Sequence, residues 1–479
     1  MSRERVSVDE AWKNIFEEHS VPERTRGDGV FLIDAREINR HHEARLMAKF
    51  DTSAVLPEPF KECGLSILPV GRGRYALGRF RSYCPVPAFA GSPRSLPEAM
   101  ELETLTPANL YSEAAAVLFA WNAGLVTELC GGKRAALTVN GRMSSGTFPF
   151  RIGTGPAGGG KGKDRRSPSG ERAQGRWSGK SASKAAEMAG LRPRCLWEEP
   201  SVAVAAGVPG QVELQVENAQ VEIDAGFETE DAFYVLEAKS VMSGELLVRQ
   251  LYYPWRLWGA RIRKPVIPVF MVLSNDIYSF YVYAFDDPGR YDSIRLERTL
   301  SFRLGQPSPR GDLDALTRGA ASLPPEGVPF PQADSLERVV DLLGVLTDGD
   351  LLPDELTLRY GFDRRQTSYY LAACAWLGLV EKEGGFAGHG GAWSLSEEGL
   401  RAMALPPEEK RLALAAAVLG RPVFREVWRM SFDSGSIPGD ADVAPIVARD
   451  GTGMAPSTAE RRSRTVRSWI GTIMSWASG

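Results

Sequence analysis

Residues 220–239 restrict what this chain can fold into more than any other stretch. They read Gln-Val-Glu-Ile-Asp, then Ala-Gly-Phe-Glu-Thr-Glu-Asp-Ala, then Phe-Tyr-Val-Leu-Glu-Ala-Lys. The outer pieces alternate with a period of two and are rich in β-branched and aromatic residues. The polar 228–231 segment between them is a turn signal, so an antiparallel hairpin is expected. With the turn centred near Thr229 and Glu230, Asp224 lies opposite Leu236 or Glu237. Side chains alternate faces along a strand, which groups Glu222 with Asp224 and Glu237 with Lys239. In the register that pairs Asp224 with Glu237, three carboxylates and one ammonium meet on one surface. A slip of one residue separates them. Val221, Ile223, Tyr234, Leu236 and Ala238 read as buried. Carboxylates at the end of buried strands are costly unless their charge is compensated. A divalent cation compensates it, and hard oxygen ligands select Mg²⁺.

This spacing suits a metal-dependent phosphodiesterase. Asp224 and Glu237 would hold Mg²⁺, which lowers the pKa of bound water and neutralises phosphate charge. Lys239 would orient the attacking water or help deprotonate it. The plainer alternative is a surface hairpin with solvated charges. These residues resemble the PD-(D/E)XK nuclease superfamily, with Asp224 as the motif aspartate and Glu237-Ala238-Lys239 as the E-x-K. Ile223 stands where the pattern has proline. The resemblance spans roughly residues 106–285 and implies a mixed-sheet nuclease core. It also implies a helix after the E-x-K strand, carrying Gln250 as a supporting glutamine. Glu113, on the first core helix, would be an acidic residue near the metal. Each has an alternative: Gln250 as part of a polar helix face, and Glu113 as a first-turn acid favoured by the helix dipole.

The bulk properties exclude several classes. At 479 residues the chain suggests about three domains, each able to bury a core. No run of 18 apolar residues is present, so no membrane helix is expected. The N-terminal Met-Ser-Arg-Glu-Arg-Val lacks the apolar core of a secretion signal. The five cysteines are scattered, without disulfide or zinc spacing, which fits a reducing cytoplasm. The four histidines form no H-x-H or HExxH pattern, which weakens the case for a zinc enzyme. A net charge of −3 does not exclude nucleic acid, because binding needs a local basic surface rather than a basic total.

Along the chain, residues 1–105 read as an α+β unit. A helix over 8–18 follows Ser7, and strands over 65–70 and 75–80 flank an Arg-Gly-Arg turn. Arg72 and Arg74 there would track phosphates, or form an ordinary solvated hairpin face. The phrases Arg-Leu-Met-Ala-Lys-Phe-Asp and Leu-Ser-Ile-Leu-Pro-Val-Gly-Arg-Gly-Arg-Tyr resemble the amino-terminal region of bacterial type II restriction endonucleases. Residues 106–129 read as helical, capped by Ser112 and broken near Gly124. Strands over 135–139 and 147–152 follow, with Arg142 between them in reach of a phosphate. Residues 153–190 form a Gly-, Ser-, Lys- and Arg-rich insert, read as a flexible basic loop. Its Gly155–Gly162 run imitates a phosphate-binding loop but lacks the Ser or Thr that holds Mg²⁺. A helix over 246–258, ending at or soon after Pro254, precedes strands over 265–273 and 277–285.

Residues 306–334 read as a linker. Residues 335–405 then give the order of a winged helix-turn-helix: helices over 336–346, 353–360 and 363–377, strands over 380–382 and 392–395, and a closing helix from Ser396. Its third helix offers Arg364, Arg365, Gln366 and Ser368 for major-groove contacts. The alternative is a winged helix that binds protein. Residues 406–479 read as a helical extension, with helices over 408–428 and 457–476. The whole is read as an α+β or α/β chain: an N-terminal α+β domain, a nuclease core over 106–305, and the winged helix. The resemblance implies a Mg²⁺-dependent type II restriction enzyme that cuts double-stranded DNA to 5′-phosphate and 3′-hydroxyl ends. One site cuts one strand, so a homodimer is expected, with a separate cognate DNA methyltransferase as partner. The alternatives are a modification-dependent or repair nuclease with the same site, and a non-catalytic DNA-binding regulator.

Overall fold

The computed structural model describes residues 7–89, 91–96, 102–154, 210–306, 308–319, 321–361, 364–386, 391–450 and 454–477. Most of the 153–190 insert, including its imitation of a phosphate-binding loop, lies outside them, as does Asp363. The chain is a mixed α and β protein built on two mixed sheets. Among the described residues no helix is long and apolar enough to cross a membrane.

The first sheet joins β1 (Phe31–Asp34), β2 (Ser66–Gly71) and β3 (Arg74–Gly78) to β7 (Thr147–Gly153) and β8 (Gln211–Glu217), in the order β1-β3-β2-β8-β7. The β2–β8 pairing is parallel and the others are antiparallel. Strands on both sides of residue 105 therefore share one sheet, so that boundary does not divide two separate sheets. In front of this sheet, α1 (Val8–Glu18) starts at Ser7, whose side chain accepts the Glu10 N–H. It packs Trp12, Ile15 and Phe16 into an apolar cluster with Phe60.

The second sheet has seven strands. After β4 (Tyr83–Pro85) come β5 (Arg94–Ser95), β6 (Ala136–Ser144), β9 (Gln220–Glu228) and β10 (Phe233–Lys239). Then follow β11 (Glu245–Leu247), β12 (Val266–Ser274), β13 (Ile277–Phe285) and β14 (Ile294–Arg303). The sheet runs β5-β14-β13-β12-β10-β9-β6, while β4 and β11 pair separately. Strands β10 and β12 are parallel, as a helical crossover requires. The crossover helix α3 (Arg249–Gly259) lies between them in sequence; α2 (Glu113–Asn122) precedes β6. Val221, Ile223, Phe233 and Val235 pack with Leu251, Tyr252 and Tyr253 of α3. Ala225, Phe227, Tyr234, Leu236 and Ala238 pack with Ala116 and Phe119 of α2. In β9 the alternation therefore switches faces across Asp224. The β6–β9 register shifts in the same place, between Val139 and Gly141.

Two expectations change here. The helix expected over 246–258 starts later: Glu245–Leu247 form β11, and α3 runs from Arg249 to Gly259, ending soon after Pro254, which lies inside it. Pro254 has no N–H, so the Gln250 carbonyl receives no helical bond from it. The region read as a linker, residues 306–334, is packed: a short helix at Arg310–Ala315 buries Leu313, and Ala333 is buried in the core of the helices that follow.

The rest is helical around one core. Helices α4 (Leu336–Val345), α5 (Pro353–Tyr360) and α6 (Arg364–Leu377) lead to the β15–β16 hairpin (Val380–Lys382 with Trp393–Leu395) and α7 (Glu397–Met403). The helix expected over 408–428 is two, α8 (Pro407–Leu419) and α9 (Pro422–Ser434), divided at Gly420-Arg421. Then α10 (Asp440–Asp450), which the sequence reading lacked, precedes α11 (Pro456–Trp476). Val466, Trp469, Ile470 and Ile473 of α11 are buried in this core, and Trp469 Nε1 donates to the Ala333 carbonyl at 3.0 Å.

Two buried acids join this unit to the sheet. The two-residue β12–β13 turn places Asn275 and Asp276 at φ of 52° and 60°, the positive-φ turn that matches strand twist. Asp276 thereby meets Lys410 at 2.5 Å and Arg411 at 3.3 Å, with all three side chains buried. Asp341 of α4 accepts the Met242 N–H at 2.7 Å and the Ser274 hydroxyl at 2.8 Å. Burial pushes its carboxyl up to about 7.

Candidate active site

The β9–β10 ladder runs from Phe233 opposite Glu228 to Leu236 opposite Ala225. The next step of that register sets Asp224 against Glu237. There the ladder has opened, and Asp224 Oδ2 accepts the Ala238 N–H at 2.8 Å in place of a backbone carbonyl. Asn140 on β6 donates to the Asp224 carbonyl at 2.5 Å, which holds the residue from the other side. Glu237 and Lys239 share the face of Val235, toward α3.

Glu237 is 6% exposed. Its Oε1 accepts from Lys239 Nζ at 2.9 Å and from the Gln250 amide. Lys239 Nζ also stands 3.4 Å from Glu113 Oε1 on α2 and 3.4 Å from Asp51 Oδ2. The structure therefore brings Asp224, Glu237, Lys239, Glu113 and Gln250 into one cluster and adds Asp51. Asp51 ends the phrase Arg-Leu-Met-Ala-Lys-Phe-Asp, but no local pattern distinguishes it from a solvated acid.

The electrostatics are those of an over-charged anionic site. Burial pushes the Glu237 carboxyl up to about 8; Lys239 opposes the shift and Asp224 adds to it. Burial also raises Asp224, against the pull of the Ala238 N–H and Lys239. Glu113 is raised by burial, again opposed by Lys239. Burial would raise Asp51 too, but Lys239, Lys49 and Arg249 outweigh it and hold that carboxyl below its ordinary value. For Lys239, burial disfavours the charge, yet Glu237, Asp51 and Glu113 overcome it and keep the ammonium protonated. Three carboxyl groups thus contact one lysine, with Asp224 beside them on the Ala238 N–H.

Among the described residues, no three His, Cys, Asp or Glu side chains form a ready-made metal cage. The donor set still fits Mg²⁺. That ion is usually held by one or two carboxylates, with water and substrate phosphate completing its shell, and Asp224 and Glu237 supply two. Burial is the main cause of the raised carboxyls of Glu237, Asp224 and Glu113, and a bound cation would favour their ionised forms.

The other candidates lie apart from this cluster or at its edge. Arg142 pairs with Glu222 across β6–β9 at 3.1 Å, and both are exposed. Arg72 is exposed on the β2–β3 turn, and Arg74 faces Asp34 at 3.8 Å. On α6, Arg364 pairs with Asp354 at 2.7 Å, Arg365 donates to the Tyr369 hydroxyl at 2.6 Å, and Ser368 donates to the Arg364 carbonyl. Gln366 lies at the rim of a cleft of about 370 Å³ that Lys239 and Gln250 also line.

Three domain families of unknown function match the chain: DUF6996 over residues 9–77, DUF6997 over residues 78–160 and 184–303, and DUF7226 over residues 338–478. No curated protein and no solved structure matches it. Asp51 lies in the first stretch, Glu113, Asp224, Glu237, Lys239 and Gln250 in the second, and Gln366 in the third.

Proposed function

We propose that this chain is a Mg²⁺-dependent endonuclease of double-stranded DNA, with its chemistry at Asp224, Glu237 and Lys239. The observation that carries the reading is the convergence on two adjacent strands: Asp224 against the Ala238 N–H, and Glu237 bonded to both Lys239 and Gln250. A solvated hairpin face has no need to bury Glu237 against a half-buried Lys239 and a half-buried glutamine from the next helix. The mixed sheet with a crossover helix after the E-x-K strand also favours a PD-(D/E)XK core. The helix–helix–helix–hairpin–helix order of residues 336–403 favours a winged helix.

Asp224 and Glu237 would hold the ion. When bound, Mg²⁺ neutralises phosphate charge and lowers the pKa of water. Lys239 is a fixed ammonium whose three carboxylate neighbours hold it in place. It donates to the scissile phosphate or to the attacking water. Gln250 fixes the Glu237 carboxylate, and Glu113 and Asp51 fix Lys239 from two further sides. The products would carry 5′-phosphate and 3′-hydroxyl ends. A type II restriction role, a homodimer and a cognate methyltransferase belong to this proposal. A modification-dependent nuclease with the same site is its nearest alternative.

The test is Mg²⁺-dependent digestion of unmethylated and methylated phage DNA by wild type and by Glu237→Ala. Discrete fragments lost in the variant support a sequence-specific nuclease. A smear lost in the variant supports the chemistry with looser specificity. Cutting of methylated DNA alone moves the role to modification dependence. Absence of cleavage on both substrates sinks the reading.

A further inference from the structure

The cleft beside Lys239 has a volume of about 370 Å³, within the ~300–1,000 Å³ typical of small-ligand sites. Its lining draws on all three matched stretches: the 51–54 segment, Lys239 with Gln250, and Arg359 with Gln366. It is pinned rather than loose. Thr52 Oγ1 donates to the Gly361 carbonyl at 3.2 Å, and the Ser53 N–H donates to Glu245.

The chemistry of this lining is mixed in a way that restricts its ligand. Lys239 and Arg359 suit a phosphate. The carboxylates of Asp51 and Glu245 do not, but they accept from exocyclic amino groups. The Gln366 amide presents a donor and an acceptor side by side, the pattern that pairs with an adenine edge. The exposed Leu358 gives apolar surface for one face of a planar ring. A bare anion would use only part of this set.

We infer that the cleft receives one nucleotide, with its phosphate toward Lys239 and Arg359 and its base edge toward Gln366. The inference rests on the reading of Lys239 as a residue that meets phosphodiesters. It gives the start of α6 a role at the reaction centre rather than at a distant groove. A nucleotide of a DNA duplex would enter by leaving the stack, at a cost that is smallest for a mismatched or unpaired base. A free nucleotide effector would present the same chemistry.

The experiment uses the full chain in chelator-containing, metal-free buffer, so that no cleavage is needed. Each of the four 2′-deoxynucleoside 5′-monophosphates is titrated by calorimetry into wild type, Gln366→Ala and Arg359→Ala. Both side chains are exposed, so neither variant threatens the core. At least one nucleotide is expected to bind one to one, and to lose about tenfold in affinity in each variant, the scale of one lost base-edge or phosphate contact. Displacement by a short mixed-sequence duplex assigns the nucleotide to the DNA strand. Failure of the duplex to displace it assigns it to a free effector. No binding at millimolar nucleotide, or equal binding by wild type and both variants, overturns the inference. Cleavage that depends on Glu237 without nucleotide binding removes this inference and leaves the nuclease reading. Nucleotide binding at this cleft without any cleavage does the reverse.

Discussion

Asp51 Oδ2 stands 3.4 Å from Lys239 Nζ, and the other oxygen of the same carboxylate is buried with no hydrogen-bond partner among the described residues. The N-terminal stretch thus delivers a charge into a cluster otherwise built from α2, β9, β10 and α3. Its carboxyl is the one held below the ordinary range, so it stays ionised while its neighbours are raised. On the proposed function, Asp51 would act through Lys239, as a positioning residue. Asp51→Asn keeps the shape and removes the charge. The expected result is a fall in kcat of about 10–100-fold, the scale of a small misplacement at a reaction centre, with KM for DNA little changed. Asp51→Glu should recover part of the loss. An unchanged kcat in Asp51→Asn would show that Lys239 needs only Glu237 and Glu113.

That residue also marks how much of the site was legible beforehand. Period-two alternation and a polar turn, both local, left Asp224 opposite Leu236 or Glu237, and the observed ladder continues to the Asp224–Glu237 register. Ser112 as a cap placed Glu113 one residue into its helix, and the structure bonds that cap to the Ala115 N–H. Asp51 was illegible because its approach depends on a parallel β2–β8 pairing and on the 50–53 segment crossing to β11, neither of which has a local signature. The face switch at Asp224 was hidden for a related reason. It arises where β6 shifts register, and strand periodicity alone assumes that no shift occurs. The late start of α3 was hidden as well: Glu245–Leu247 become a strand by pairing with β4, a partner far away in sequence.

Glu237 sets a pH dependence. Its carboxyl is raised from 4.5 to about 8, with burial as the largest cause. On the proposed function, a proton and Mg²⁺ would therefore compete for it. Mg²⁺ affinity should rise about tenfold per pH unit below that value and level off above it. Calorimetry in buffers of different ionisation enthalpy should show close to one proton released on binding near neutral pH. The metal-free protein has the matching stability trend. A group raised in the folded state gives stability that is fully present below its unfolded pKa and lost as pH rises through its folded pKa. Metal-free Tm should therefore fall between about pH 4.5 and about pH 8 more in wild type than in Glu237→Gln. A pH-independent Mg²⁺ affinity would exclude Glu237 as a ligand.

The Asp276 cluster predicts where the C-terminal unit separates. Asp276→Asn keeps a residue that tolerates the positive φ of this turn but leaves Lys410 and Arg411 buried without their shared anion. Breaking a buried ion pair from one side typically costs ~3–5 kcal/mol. The expected outcome is a lower denaturant midpoint and new proteolytic cleavage between the sheet and the helical unit. Exposed pairs such as Arg401 with Glu397 give the contrast. Charge removal there should change stability by less than about 0.5 kcal/mol.

Gly226 tests whether the geometry around Asp224 depends on close backbone packing. A Cβ at Gly226 would lie 2.6 Å from Phe233 Cζ and 2.8 Å from Val139 Cβ. Phe233 can shift only against Trp258, whose ring lies 5.0 Å away, and Val139 sits on the neighbouring strand β6. Gly226→Ala therefore has to push β6, β9 and β10 apart two residues from Asp224. Overpacking of this kind costs ~1–3 kcal/mol, and the displacement is transmitted to the carboxylate. Denaturant unfolding should show that loss, and Mg²⁺ affinity should fall with it. Gly226→Ser should behave likewise, since the first added atom makes the clash. Full Mg²⁺ affinity in Gly226→Ala would mean that the Ala238 N–H and Asn140 hold Asp224 regardless of the strand spacing.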